Sequence, residues 1–245
     1  MTRPTLFASD LHLSPARPDL LRAFVAMTRG PAREADALYL LGDVFDSWIG
    51  DDQLREPLAS DVAHALAALT ASGVGVHLMR GNRDFLMGER LARASGARLL
   101  PDEIVIDLHG RPTLLLHGDE LCTADVSYQR FRAWSRNARR QRRFVALPYA
   151  LRRAIARMLR GGSGRATAMK ADAITDVTDD AVIDAFRRHG VDRMIHGHTH
   201  RPARHHLLID GRECERWVLA DWHDHASGLV MTSAGGEVRE WSALD

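Results

Sequence analysis

Short apolar runs, each ending in a knot of polar residues, set the rhythm of the first two hundred residues. Thr5-Leu-Phe-Ala8 ends at Ser9-Asp-Leu-His12, Ala37-Leu-Tyr-Leu-Leu41 at Gly42-Asp43, and Val74-Gly-Val-His-Leu-Met79 at Gly81-Asn-Arg-Asp84. Thr113-Leu-Leu-Leu116 ends at His117-Gly-Asp119, and Arg193-Met-Ile195 at His196-Gly-His-Thr-His200. Runs this short and this apolar predict buried strands. Helical segments lie between several of them, notably Pro18–Arg29, Pro57–Ser72 and Thr178–His189. Strand alternating with helix predicts an α/β layered fold that delivers polar residues at strand ends. A parallel sheet would carry all five knots to one edge. From Ala203 to Trp241 the pattern changes to short alternating segments broken at Asp210-Gly211 and Gly235-Gly236, which predict antiparallel strands and hairpins.

One stretch interrupts this rhythm. Tyr128–Arg143 is polar and helix-favouring, and Leu147–Arg160 predicts an amphipathic helix. Leu147, Leu151, Ile155, Met158 and Leu159 fall on one face of it, and Arg152, Arg153, Arg157 and Arg160 on the other. Gly161-Gly-Ser-Gly164 predicts a turn after it. The chain therefore reads as a single domain over residues 1–245 with a helical cap inserted at about 126–170.

Composition changes the picture in one respect. The chain has 245 residues, 45% hydrophobic and 27% charged, the balance of a globular protein and not of a disordered, collagen-like or coiled-coil chain. No window approaches the roughly 18 consecutive apolar residues of a membrane span. The N-terminal residues lack the apolar core of a secretory signal, and Cys122 and Cys214 stand in no metal or redox spacing. A cytosolic, disulfide-free chain is expected, its cysteines acting as small buried hydrophobes. The net charge of +1 averages unlike parts. Val126 to Met169 holds 12 arginines and no acid, and elsewhere 21 basic residues meet 32 acidic ones. Lys170 is the one lysine.

Taken singly, the knots are weak: Gly-Asp after a strand is more often a turn than a ligand, and a lone His117 more often a satisfied interior residue. Together, at the ends of successive strands, they offer seven donors: Asp10, His12, Asp43, Asn82, His117, His198 and His200. That number exceeds one tetrahedral ion and suits two ions sharing a carboxylate. A glycine just before a donor allows a tight turn and a close backbone approach. With no sulfur donor, hard-to-borderline ions are favoured; zinc, iron and manganese all suit these ligand types. His205, His206, His223 and His225 lack such organisation and read as surface or loop histidines.

The ordered set Asp10-x-His12, Gly42-Asp43, Gly81-Asn82, His117 and Gly197-His-Thr-His200 resembles the calcineurin-like metallophosphoesterases, over residues 5 to 202. The longer strings Ser9-Asp-Leu-His-Leu13, Trp48-Ile-Gly-Asp-Asp52, Gly81-Asn-Arg-Asp-Phe-Leu86, Leu121-Cys-Thr123 and His196-Gly-His-Thr-His-Arg-Pro202 are similar, more narrowly, to the UDP-2,3-diacylglucosamine pyrophosphatases of lipid A biosynthesis. The resemblance implies a four-layer α/β/β/α sandwich with a helical cap over the site. It implies one metal on Asp10, His12, Asp43 and His200, and a second on Asp43, Asn82, His117 and His198. The ions it points to are two Mn²⁺ per subunit. It also implies substrate contacts from Asn82, Arg83, Asp125, Tyr128, Ser163, Thr167, Lys170 and His198, of which Asn82, Arg83 and His198 bear on catalysis.

Two divalent ions against two carboxylates leave a surplus of positive charge for an anionic phosphoryl centre, with hydroxide as in-line nucleophile. Arg83 follows Asn82 where many calcineurin-like enzymes place a histidine that protonates a poor leaving group. A guanidinium cannot act as an acid at neutral pH, but it can pair with a phosphate monoester that leaves without a proton. Arg83 thus favours pyrophosphate cleavage; the plainer alternative is a surface ion pair with Asp84. The expected reaction converts UDP-2,3-diacylglucosamine to UMP and 2,3-diacylglucosamine 1-phosphate (lipid X) by attack at the α-phosphorus. The alternative is a dimetal phosphodiesterase or pyrophosphatase acting on a soluble nucleotide. The arginines and the apolar face of 147–159 predict peripheral contact with an anionic membrane surface, on the cytoplasmic face of the inner membrane, or an acyl channel; the plainer alternative for that face is ordinary packing on the body. No nucleic-acid partner is expected.

Overall fold

The computed structural model describes residues 3–168, 176–223 and 225–241, and for residues 160–168 it describes the backbone alone. Parallel strands β1 (Thr5–Ala8), β2 (Ala37–Leu41), β3 (Gly75–Met79) and β4 (Arg98–Leu99) form one side of the molecule. A hairpin of β10 (Ala226–Thr232) and β11 (Gly235–Trp241) adds antiparallel to β1, giving the order β11-β10-β1-β2-β3-β4. A second sheet has the order β5-β6-β7-β9-β8, from β5 (Glu103–Leu108), β6 (Arg111–Leu116), β7 (Arg193–His196), β8 (Ala203–Ile209) and β9 (Arg212–Val218). Its middle strands β6, β7 and β9 are parallel, and β8–β9 is the hairpin turned at Asp210-Gly211. The five knots thus leave two sheets, three from the first and two from the second, where one parallel sheet was expected.

Strand alternation explains how the sheets stack. Leu6, Ala8, Leu38, Leu40, Val76 and Leu78 point to one face and pack on α1 (Pro18–Arg29), α2 (Pro57–Ala71) and α3 (Glu89–Ser95), through residues such as Phe24, Leu66 and Leu91. Phe7, Leu41 and Met79 point the other way and meet Leu115, Ile195 and Trp217 between the sheets. Leu114, Leu116 and Met194 face outward onto Val182, Ala185 and Phe186 of α7 (Asp179–His189). The layers run helix, sheet, sheet, helix. Each large side chain so buried contributes roughly 1.5–3 kcal/mol relative to exposure. The helices begin where the sequence tells them to. Pro18 and Pro57 occupy first turns, and the Thr178 hydroxyl accepts from the Ala181 N–H to start α7, which ends on left-handed Gly190. Cys122 and Cys214 are both buried and unpaired with each other.

Between β6 and α7 the chain forms α4 (Val126–Ser135), α5 (Ala138–Val145) and α6 (Tyr149–Ala168). The expected helix over Tyr128–Arg143 is split after Ser135, because the Asn137 side chain accepts from the Arg139 and Arg140 N–H groups and starts a new one. α6 corrects one expectation. Its backbone stays helical through Gly161–Gly164, where a turn was predicted. Glycine costs a helix only about 1 kcal/mol relative to alanine, and the arginines and alanines on either side favour the helix.

The apolar face of α6 is not closed over by the body, and one of its arginines turns inward instead. Arg152 is 2% exposed, whereas Leu151, Met158 and Leu159 are 47%, 70% and 51% exposed. The Arg152 guanidinium donates to the Ile49 and Leu147 carbonyls and pairs with Asp52. Gly50 makes room for it: at φ 130°, a Cβ there would lie 2.3 Å from Arg152 Nη1. Tyr149 adds a hydrogen bond to Glu56. One buried guanidinium therefore anchors the helix. Replacing Arg152 with Met keeps the bulk and removes the fork, so urea unfolding should show a loss of about 2–3 kcal/mol, the lower end for breaking a buried pair because Asp52 can rehydrate. A stability within about 0.5 kcal/mol of the parent, the range of ordinary surface changes, would remove Arg152 as the anchor.

Candidate metal centre

Each knot leaves its strand through a sharp turn. Asp10, His12, Asp43, His198 and His200 all have positive φ, between 47° and 69°. Side chains adopt that region only where the surroundings hold them there. Here the holding is done by cross-loop hydrogen bonds: Asp10 N to Gly42 O, His12 N to Asp43 O, Gly197 N to His117 O, and Trp222 N to Asp10 O, at 2.9–3.0 Å. Two glycines permit the approach. A Cβ on Gly81 would lie 2.1 Å from Asp43 Oδ1, and one on Gly197 would lie 2.1 Å from Ser9 Oγ.

The loops bring the seven donors together. His200 Nε2 lies 3.3 Å from Asp10 Oδ1 and 3.4 Å from His12 Nε2. Asn82 Oδ1 lies 3.0 Å from His117 Nε2 and 2.9 Å from His198 Nδ1. Asp43 stands between the two groups, with Oδ1 3.9 Å from His117 Nε2 and Oδ2 3.9 Å from His12 Nδ1. The donors of Asp10, His12 and His200 lie within 4.8 Å of one another, as do those of Asp10, Asp43 and His117. The set is chemically suited to divalent ions. Two buried carboxylates without a full complement of fixed cations are costly, and they sit among imidazoles with no thiolate. Proton affinities show the same crowding. Burial pushes Asp43 up, helped by the carboxylates of Asp84 and Asp10 and opposed by His117. Burial would raise Asp10 too, but the His200 hydrogen bond and the nearby imidazoles hold it well below the usual range. Against burial, the carboxylates of Asp43, Asp10 and Asp119 push His117 up to about 9.

Several supporting residues escape sequence reasoning. Asp84 is fully buried and accepts from the backbone N–H of Gly81 and Val44, knitting two donor loops. The surface pair between Arg83 and Asp84 therefore does not form. Arg83 instead pairs with Asp46 at 2.6 Å and approaches Asp43 at 3.6 Å. Asp221, in the link between β9 and β10, reaches His200 Nδ1 at 3.2 Å, opposite the edge that faces Asp10. A carboxylate behind a ligating imidazole fixes its orientation and strengthens it as a donor. A lone Asp far along the chain carries no local signal for that role.

On the other side of the site, Tyr128 stacks on His198 with ring centroids 6.0 Å apart, and its hydroxyl donates to Asp119. Asp125 caps α4 by accepting from Tyr128 N. Arg132 pairs with Asp119, and Arg136 donates to the Gly81 carbonyl beside Asn82. Ser163 and Thr167 lie in α6 where side chains fall outside the description, and Lys170 lies outside the described residues. Of the four scattered histidines, His223 borders a cleft beside His12 and His200, and His225 pairs with Glu240.

A family model of calcineurin-like phosphoesterases matches residues 3–202. A curated protein of Cellvibrio japonicus named UDP-2,3-diacylglucosamine hydrolase is 50% identical, over 97% of this chain and 98% of its own. One of the same name from Stenotrophomonas maltophilia is 51% identical over 95% and 96%. Among solved structures, a dimetal phosphatase from Danio rerio aligns over 99% of this chain and 96% of its own with a TM-score of 0.53 at 14% identity, a likeness of fold alone.

Two outcomes follow from this geometry. Asp221→Ala should weaken one of two Mn²⁺ binding steps in calorimetry by about 10–100-fold, and Asp221→Asn, which keeps an acceptor oxygen, should restore most of it. Equal weakening of both steps would argue against a specific hold on His200. Glu120 is buried beside Asp119, and burial with that neighbouring charge pushes it up to about 8 from the usual 4.5. Between those values the folded protein keeps a proton that the unfolded chain has released, so stability falls as pH rises through the window. Glu120→Gln should raise the Tm more at pH 8 than at pH 5; a Tm shift that does not change with pH would refute the assignment.

Proposed function

The chain belongs to the calcineurin-like phosphoesterase family, and on that premise we propose that it hydrolyses the pyrophosphate bond of UDP-2,3-diacylglucosamine. The products are UMP and 2,3-diacylglucosamine 1-phosphate, a step of lipid A biosynthesis. The observation that carries this is the near-full-length likeness, about half of all positions, to hydrolases of that substrate. It runs through the helical insertion as well as the metal loops. Asp10, His12, Asp43 and His200 would hold one divalent ion, Mn²⁺ in this reading, and Asp43, Asn82, His117 and His198 the other. When bound, such a pair supplies Lewis-acid charge and activates water near neutral pH.

The chain's own side chains do the rest. Arg83 is part-exposed at the mouth of the site and tethered by Asp46, so its fork can receive charge building on the departing phosphate. Asn82 and His198, 2.9 Å apart, would orient the phosphoryl group, and Tyr128, held by Asp119, backs His198. Asp125, Ser163, Thr167 and Lys170 complete the contacts to the nucleotide sugar. No helix among the described residues is long and apolar enough to cross a membrane. Exposed Phe131, Trp134, Val145, Leu151, Met158 and Leu159 among arginines instead support peripheral contact with anionic lipid on the cytoplasmic face of the inner membrane.

Turnover in ¹⁸O-labelled water with Mn²⁺ should place the label in UMP, EDTA should abolish it, and Mn²⁺ should restore it. Arg83→Ala should lower kcat by about 100-fold, the scale for removing one donor that meets transition-state charge. Label confined to the sugar phosphate would overturn attack at the α-phosphorus, and equal turnover of UDP-GlcNAc would favour a soluble-nucleotide hydrolase.

A further inference from the structure

We propose that the cleft walled by Ser14, Arg17, Asp46 and His223, beside His12 and His200, receives the uridine 5′-monophosphate half of the substrate, leaving the insertion side to the acylated sugar. This rests on the substrate reading above and adds an orientation to it.

The cleft has a volume of about 450 Å³, within the roughly 300–1,000 Å³ of small-molecule sites. Its position is set by the donors. It opens on His12 and His200, whereas the insertion reaches the site at the other end, through Tyr128 on His198 and Arg136 on the Gly81 carbonyl. A phosphorus held between the two donor groups therefore has the cleft on one side of it and the insertion on the other. Arg83 stands where the cleft meets the donors and can touch phosphate in either half.

The chemistry of the walls assigns the halves. Leu20 and Trp222 are the apolar side chains lining the cleft, at 4% and 1% exposure, so they present almost no apolar surface. An acyl chain seated there would forgo about 0.8 kcal/mol for each methylene left unburied by apolar neighbours. Ribose hydroxyls and a uracil edge are different guests. Carboxylates of Asp46 and Asp221 accept, the Ser14 hydroxyl does both, and the His223 ring can do either. Arg17, held in a pair with Asp19, adds positive charge for a nucleotide phosphate. The insertion exposes the large apolar side chains of Phe131, Trp134, Leu151, Met158 and Leu159, chemistry suited to hydrocarbon and not to a pyrimidine edge.

The walls are also built in. Arg17 N donates to Ser14 O in the turn before α1, and the link carrying His223 is tied to the site by Trp222 N donating to Asp10 O. A preformed cleft saves the ordering cost that a loop closing on the nucleotide would incur.

The test is calorimetric titration of the Mn²⁺-loaded protein with UMP and, separately, with 2,3-diacylglucosamine 1-phosphate. Arg17→Ala and His223→Ala should each weaken UMP about tenfold, the scale of one lost polar contact to a charged ligand. Ser14→Trp, which fills the cleft, should weaken it further. All three variants should bind the acylated sugar phosphate within twofold of the parent and carry the same Mn²⁺ content. Unchanged UMP affinity in the three variants, parallel loss of both ligands, or a parent that binds no UMP would each overturn the proposal. A parent that binds UMP with these sensitivities yet does not cleave UDP-2,3-diacylglucosamine would overturn the substrate reading and leave the nucleotide cleft standing.

Discussion

A single buried carboxylate closes the seam between the two sheets. Asp10 Oδ2 accepts from the Ser9 hydroxyl at 2.6 Å and from the backbone N–H of His198, at the end of a strand in the other sheet, at 2.7 Å. Its second oxygen faces His200. A buried carboxylate is tolerable when its oxygens are this well satisfied, and each bond to a charged acceptor is worth more than a neutral one. The left-handed donors depend on this closure. Together with the cross-loop backbone bonds, it holds five strained residues on loops from separate sheets against relaxation. Gly197 is what lets the seam close, since a Cβ there would meet Asp10 Oδ2 at 2.3 Å.

The arginine-rich insertion uses charge in a related way. It has no acids of its own, so it finds them on the body: Arg132 and Arg136 meet Asp102 and Asp119, Arg152 meets Asp52, and Arg153 approaches Glu56. A near-neutral total thus conceals a charge-complementary contact between two parts of one chain. Polar anchoring on the inside frees the apolar residues of α6 to face outward. That arrangement suits a substrate with hydrocarbon tails, because the helix need not give up its own hydrophobic side chains to stay attached.

Much of this was legible in the sequence. Apolar runs of three to six residues mark the strands that carry the donors, and β1 and β2 begin and end where the runs do. The knots after them named the seven donors that the loops bring together. The two sheets are those of the four-layer sandwich that the family resemblance implied; the residue pattern alone suggested one parallel sheet, because it fits any strand buried on both faces, and only pairing shows that β1–β3 and β6–β7 belong to different sheets. The inward turn of Arg152 was not legible, because periodicity reports which faces differ, not which one turns inward. Asp84 and Asp221 were out of reach for a different reason. They act through a backbone N–H and an imidazole distant in sequence, and nothing near them in the chain records the partner.

The first strand and one of the last lie side by side, with Thr5 opposite Met231. During synthesis, β1 leaves the ribosome early but can acquire its second neighbour only when nearly the entire chain has followed. The contacts that turn Asp10 inward, including those from His198 and Trp222, arrive equally late. Pairings of such separation close slowly. Until they close, the donors from the two ends of the chain are not one site, so a nascent polypeptide offers scavenging ions only fragments of it. Acquisition of metal is in this way tied to synthesis of the segments that carry His198, Trp222 and Met231.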